Sequence, residues 1–312
     1  MKKVLDGHGV LLFVFIYAIL FAFIEEKFIS FQNLQTISMQ IVPVAILAIA
    51  ISLILIIGGI DLTSGIGVSL AAVTIEFMIR NTDNIFLALT VSLLACLILG
   101  AINGFFIGIL NIESIMFTLI NMTIVFGVVQ IITKASVPLN LMNPFFDIIN
   151  NTKILDIIPL QFLILIFVMY ITNIILKNTK FGIQTLAIGG NLSSSISVGI
   201  NVKKIKFYVF VITSFYIWIT SVFLVAKVAY VMPSIGGIPL FLDALAASLI
   251  GGVAITGGKA KVLGIFYGAL LITIVNNSVN LLEIHPNWNN FAKGVIIILM
   301  LVINNPNRGE KE

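Results

Sequence analysis

A chain of 312 residues that is 60 % hydrophobic and 10 % charged, with a mean hydropathy of +1.17, cannot be a soluble domain, in which about 25 % of residues carry charge. Its apolar runs are continuous rather than alternating, which excludes a β-barrel and leaves an all-α, polytopic membrane protein. The formal net charge of +4 comes from Lys and Arg in short connecting stretches, where it sets membrane topology and does not signal nucleic acid.

A membrane-spanning helix needs about 20 apolar residues, and on that basis the chain holds about ten. The first covers Val10–Ile24. It follows Met-Lys-Lys but lacks a small-residue cleavage site, so it reads as a retained span rather than a leader. The next are Leu34–Ile57, Leu62–Ile79 (ending in a polar turn from Arg80 through Asp83), Ile85–Gly104 and Ile115–Thr133. Residues 134–159 are mixed and read as a loop with a short amphipathic piece. Leu160–Leu176 is the sixth span, and a polar loop, 177–206, follows it. Phe207–Val228, a segment from Leu240, Val262–Leu282 and Phe291–Ile303 complete the set. The whole of 1–312 is thus one transmembrane domain. With an even span count Lys2 and Lys3, the lysines of 177–206, and Arg308 with Lys311 share one side. The positive-inside rule makes that side the cytoplasm, with both termini in it.

One stretch has an echo. Gly58, Gly59, Thr63, Gly65 and Leu70 map onto Gly251, Gly252, Thr256, Gly258 and Leu263 at one constant offset. This reads as two related halves, each with an apolar helix interrupted by a glycine break. In hydrocarbon an unpaired backbone group costs several kcal/mol, so irregular backbone survives there only when buried in protein or lining a watery cavity. Paired breaks in two halves point to a transport site between them.

Several polar residues stand inside the apolar segments. Asp61, flanked by Gly59, Thr63 and Ser64, reads either as an anchor for a hydroxyl-rich solute or as the cap of the following helix, two compatible roles. Ala254 stands at its place in the second half. Asn103, Asn121, Asn276, Asn277 and Asn280 either contact solute or join helix to helix. Joining suits most of them, and Asn276 with Asn277 is the pair best placed to line a path that Phe117, Thr118 and Thr123 share. Glu76 and Arg80 are four residues apart and suit a pair on one helix face. Trp218 and Trp288 read as belt or packing residues. Cys96 is a lone core thiol, and His8 and His285 are too far apart in the sequence to suggest a metal site.

The loop 177–206 is too ordered for a linker. Leu186, Ile188, Leu192, Ile196 and Ile200 recur near helical spacing, with glycines marking two short helices. A helix of this kind with few basic residues suits a groove in a protein partner. Enzyme signals fail: Gly252 to Lys259 approaches a phosphate loop, but Val253 and Ala260 stand where Gly and Ser/Thr are required, and no GxSxG or HExxH occurs. The chain is expected to bind no cofactor or metal.

Together these stretches resemble a known family. They are Gly58-Gly59-Ile-Asp61-Leu-Thr63-x-Gly65, Ala187-Ile-Gly189-Gly190-Asn191 with Ser197-Val-Gly199-Ile200-Asn201, Leu242-Asp243-Ala244 through Ile250-Gly251-Gly252, Gly258-x-x-x-Val262-x-Gly264, Asn276-Asn277 and Lys293-Gly294. In order and spacing they are similar to the membrane permeases of ribose/xylose/galactose-type ABC importers. The resemblance implies a bacterial inner-membrane homodimer or heterodimer with a similar permease, a cytoplasmic sugar-type ATPase that holds Mg-ATP, and an extracytoplasmic solute-binding protein. It places Gly182, Ala187, Gly189, Gly190, Asn191 and Gly199 at the ATPase contact. A nucleoside or a furanosyl signal molecule are alternative solutes, and an ion-coupled secondary transporter or an integral membrane enzyme are the competing classes. An ion-coupled carrier would favour a second intramembrane charge where Ala254 stands, and no nucleophile–base pair supports an enzyme.

Overall fold

From Ile41 to Ile57 the chain offers hardly any polar side chain, and a helix apolar on every face belongs inside a bundle. In the computed structural model, which describes residues 8–134, 139–140, 143–228, 230–283, 288, 291 and 294–295, each residue of that stretch is buried. It forms most of α2 (Phe31–Ile56), which packs on α7 (Leu160–Asn178), α10 (Val202–Val228), α11 (Gly237–Ile250) and α12 (Val262–Leu281). The remaining long helices are α1 (His8–Ile24), α3 (Thr63–Thr82), α4 (Ile85–Asn103) and α5 (Ser114–Thr133). α4 runs straight into a π-helical turn, Gly104–Ile109.

Among the described residues seven helices are long and apolar enough to cross a membrane, and α11 and Gly9–Ile24 are shorter apolar helices. Their bounds follow the sequence expectation to within a few residues. The predicted span Phe291–Ile303 lies outside the described residues except for Phe291, Gly294 and Val295. The outer faces of α4 and α5 expose Leu94, Ile98, Leu119, Ile120, Ile124 and Ile131. A contiguous apolar surface of that kind is stable only against lipid or a partner.

Helix starts carry side-chain caps where the sequence places Ser, Thr or Asn. Ser30 Oγ accepts from Asn33 N at 3.3 Å and Asn84 Oδ1 from Leu87 N at 3.1 Å. The polar loop after α7 holds two helices, as expected: α8 (Lys180–Gly190), capped by Thr179, and α9 (Leu192–Ser197), capped by Asn191.

The far end of the bundle from α8 is closed by small pieces. The expected amphipathic segment is α6 (Pro144–Asn151), whose Phe146 is buried. Strand β1 (Leu139–Asn140) pairs antiparallel with β4 (Tyr230–Val231), and β2 (Lys153–Ile154) with β3 (Ile158–Pro159). Gln35 Nε2 donates to the Asp156 and Ile157 carbonyls, and Lys153 Nζ donates to Gln35 Oε1 at 2.8 Å, which fastens this segment to the start of α2.

Thr152 and Ser193 are both exposed, at opposite ends of the bundle, and the single Cys96 is buried. Single cysteines at Thr152 and Ser193 are therefore expected to react with a membrane-impermeant maleimide from opposite sides of the membrane, while the parent chain stays unlabelled. Labelling of both from one side would contradict the fold.

Candidate functional site

The glycine breaks are helix ends rather than kinks. α2 runs unbroken for 26 residues, about 39 Å at 1.5 Å per residue, which exceeds the roughly 30 Å of hydrocarbon. The first break therefore lies at one end of a full span and does not interrupt the helix, in contrast to the expected apolar helix interrupted by glycine. Gly58 has φ +75°, with its N–H on the Leu55 carbonyl (2.9 Å) and Gly59 N on Ile54 O (3.0 Å). Gly252, with φ +83°, repeats this: its N–H reaches Leu249 O (3.0 Å) and Val253 N reaches Ser248 O (3.1 Å). Glycine takes the left-handed conformation at a helix end without the penalty a β-carbon brings. The device thus repeats with Gly58 matched to Gly252, one position off the sequence alignment, which pairs Gly58 with Gly251. Beyond it the halves diverge. α3 starts five residues after Gly58, whereas α12 starts only at Val262, after a loop through Thr256, Gly257 and Gly258.

The first turn is laced to its surroundings. Ile60 N donates to Ser114 Oγ (3.1 Å) and Leu62 N to Thr118 Oγ1 (3.2 Å). Asp61 Oδ1 accepts from Thr63 N (2.8 Å) and from the Thr63 hydroxyl, and Oδ2 accepts from Ser64 Oγ (3.2 Å). The chain of bonds continues as Asn103 Nδ2 donates to Thr63 Oγ1 (2.8 Å) and Asn121 Nδ2 to Asn103 Oδ1 (2.7 Å). All are buried, Asp61 at 3 % exposure and Thr63 at 0 %. This is a satisfied polar network joining the start of α3 to α4 and α5, and such networks hold helices in one arrangement. Asp61 thereby does what the capping reading expects.

The structure thus gathers Gly59, Asp61, Thr63, Ser64, Asn103, Thr118 and Asn121 in one place, with Gly58 on its rim. Phe117 is near them and stacks on Phe106, ring centroids 4.6 Å apart. Thr256, Asn276 and Asn277 are elsewhere. Thr256 is exposed on the α11–α12 loop. Asn277 and Asn33 exchange amide hydrogen bonds (2.8 and 3.0 Å), and Asn276 donates to Asp243 Oδ2 (3.1 Å). Adjacent helical positions point about 100° apart, so the two amides serve different neighbours. Thr123 is exposed and returns its hydroxyl to Leu119 O. Glu76 pairs with Arg80 at 3.5 Å as expected, and Trp218 Nε1 donates to Ser92 Oγ at 2.9 Å.

Sequence reasoning passed over Ser114, Asn33 and, apart from the motif quoted above, Asp243. The first had a signal: Ser114 and Thr118 are one helical turn apart, so both hydroxyls share a face of α5. The other two meet partners hundreds or tens of residues away, and local pattern carries no trace of that.

At the α8 end, Gly182 is packed against the Ile175 carbonyl and Gly189 against the Ile56 carbonyl, while Gly190 has open space around it. Ala187 is half-buried, and Asn191 and Gly199 are exposed. α9 turns Leu192, Ile196 and Val198 outward, at 45 %, 60 % and 75 % exposure. Ile188 points inward instead, so the expected apolar stripe is split between bundle and surface.

A family described as the permease component of branched-chain amino acid transport systems matches residues 33–301. The chain belongs to this permease family. It is 30 % identical to the ribose import permease protein of Haemophilus influenzae over 285 residues, covering 90 % of this chain and 88 % of that one. It is 26 % identical to the L-arabinose ABC transporter permease protein of Azospirillum brasilense, covering 96 % and 88 %, and 27 % identical to the galactofuranose transporter permease protein of Escherichia coli K12, covering 84 % and 76 %. No solved structure matches. As a transport component, the permease is a multi-pass membrane protein and not an enzyme.

Thr63→Val removes a donor and an acceptor from the buried network and leaves Asn103 Nδ2 without its acceptor. A buried group left unsatisfied costs about 1–3 kcal/mol, so the purified variant is expected to unfold at a lower temperature than the parent. Gly58→Ala meets no neighbour within 4 Å and is expected to be destabilised only by the left-handed backbone penalty of about 1–2 kcal/mol. An unchanged unfolding temperature in both would refute the network and the turn.

Proposed function

We propose that this chain is the membrane subunit of an ATP-driven importer for a monosaccharide, a pentose or hexose of the ribose class. The observation that carries the reading is the exposed α9 face beside Gly190. It holds outward-facing Leu192, Ile196 and Val198 in a segment with few charges, next to the contact between α8 and the end of α2. Apolar anchors ringed by Ser and Asn are what a protein partner's groove takes up. The near full-length similarity to ribose, arabinose and galactofuranose permeases supports a sugar over the amino acid of the family description.

In this reading a cytoplasmic ATPase docks on α8 and α9 and holds the Mg-ATP, and the permease binds no cofactor. An extracytoplasmic binding protein delivers the sugar to the opposite end, around α6 and the β1–β4 pair. The chain pairs with itself or with a similar permease in the bacterial inner membrane. It crosses ten times, with Phe291–Ile303 as the last span and both termini in the cytoplasm. The network of Asp61, Thr63, Asn103 and Asn121 stiffens one wall of the passage, on which Phe117 and Thr118 stand.

Ile196→Asp places a charge on the docking face without touching the bundle. Loss of one interface anchor is worth at least about tenfold in affinity, so the variant is expected to fold and insert normally, to retain about a tenth or less of the co-purified ATPase, and to lose sugar uptake in proportion. Full ATPase retention, or uptake that survives ATP depletion but stops with an uncoupler, would overturn the assignment.

A further inference from the structure

Three backbone segments meet without an intervening side chain at one point beneath α2. Gly258 N donates to the Ile56 carbonyl at 2.9 Å. A β-carbon on Gly189 would overlap both that carbonyl oxygen and Gly258 N. A β-carbon on Gly258 would fall 2.7 Å from Gly190 N and Cα, and one on Gly257 would fall 2.7 Å from the Ile56 oxygen. The end of α2, the end of α8 and the α11–α12 loop are thus in direct main-chain contact. Only glycine permits such an approach, and Gly257 and Gly258 also hold φ of +91° and +79°.

The mechanical meaning follows from what the contact lacks. Side chains absorb a shift of an ångström by changing rotamer. Main chain packed on main chain has no such slack, and close-packed interfaces pass displacement on instead of deforming. Ile56 is the last residue of the most buried helix, and the turn that follows it is bonded to Ser114 and Thr118 of α5. Gly258 lies in the loop that joins α11 to α12.

We infer that Gly189 and Gly258 are positioning residues of the transport cycle: they weld α8 to the end of α2 and to the α11–α12 loop, so that displacement of α8 reaches both as one rigid stroke. This rests on the proposed docking of the ATPase at α8 and α9, and it assigns the transmission to the inward side of α8 rather than to the docked face.

The test reconstitutes permease, ATPase and binding protein in proteoliposomes and measures ATP hydrolysis and sugar uptake together. Gly258→Ala is expected to keep the ATPase bound and hydrolysing while uptake per ATP falls about tenfold, within the range of coupling between linked sites, and Gly189→Ala is expected to lower uptake per ATP by the same factor. Gly127→Ala, at a glycine with nothing within 4 Å, is expected to match the parent. Loss of the ATPase from the Gly258 variant, a proportional fall of hydrolysis and uptake in either variant, or unaltered uptake each overturns the weld. Where a variant fails to fold, hydrogen exchange of the unsubstituted complex decides. Peptides covering 183–190 and 254–260 are expected to keep the same protection in the nucleotide-free and ATP-trapped states, and deprotection of one alone overturns the inference. Failure of the unsubstituted permease to retain any ATPase defeats the proposed function instead, and so is distinguishable.

Discussion

A buried amide or carbonyl away from water needs a partner within the protein, and the end of α2 is shaped by that constraint. At the end of α2 the amides of Gly58 and Gly59 fold back on Leu55 and Ile54. Those of Ile60 and Leu62 are met by hydroxyls of α5, and the Thr63 amide by Asp61. The Ile56 carbonyl, which lies beyond reach of its own helix, takes the amide of Gly258 from a distant loop. What reads as a string of glycine and small polar residues is, in space, a set of donors and acceptors that satisfy one another. The tertiary arrangement of α2, α3, α4 and α5 follows from this pairing as much as from apolar packing.

The polar residues inside the bundle divide by the company they keep. Asp61 with Thr63, Ser64, Asn103 and Asn121 forms one continuous network whose members all find partners within the protomer. Asp243 and Asn276 form a separate contact between α11 and α12, and there the Asn276 carbonyl oxygen is buried without a hydrogen bond among the described residues. The first arrangement locks geometry, since breaking any link strands another group in a low-dielectric interior. The second retains acceptor capacity.

Much of the fold was legible because spans announce themselves by composition. α2, α5, α7 and α10 are single apolar runs bounded by Ser, Asn, Thr or Lys, and their limits fall where those residues fall. α8 and α9 were legible as a pair from the glycines and the near-helical spacing of Leu186, Ile188, Leu192, Ile196 and Ile200. The glycine echo was correctly seen as a repeated device, yet it was read as an interruption where it is an end, because a helix that stops and a helix that kinks begin with the same glycine. Only the length of α2 distinguishes them. The contacts of Asn276 and Asn277 were also hidden. Both sit on one helix in sequence, but the 3.6-residue turn sends them to α11 and α2, and neither partner is implied by local spacing.

The reciprocal amide pair between Asn33 and Asn277 has a bearing on how the centre of the molecule can deform. It ties the beginning of α2 to the far part of α12, while the other extremity of α2 is held by the loop that leads into α12. A beam fixed at both tips to the same neighbour cannot swing like a door; it can only bow, or travel with that neighbour as a single piece. Whatever opens and closes around α2 and α12 must therefore do so by moving this pair as a unit against the helices around it.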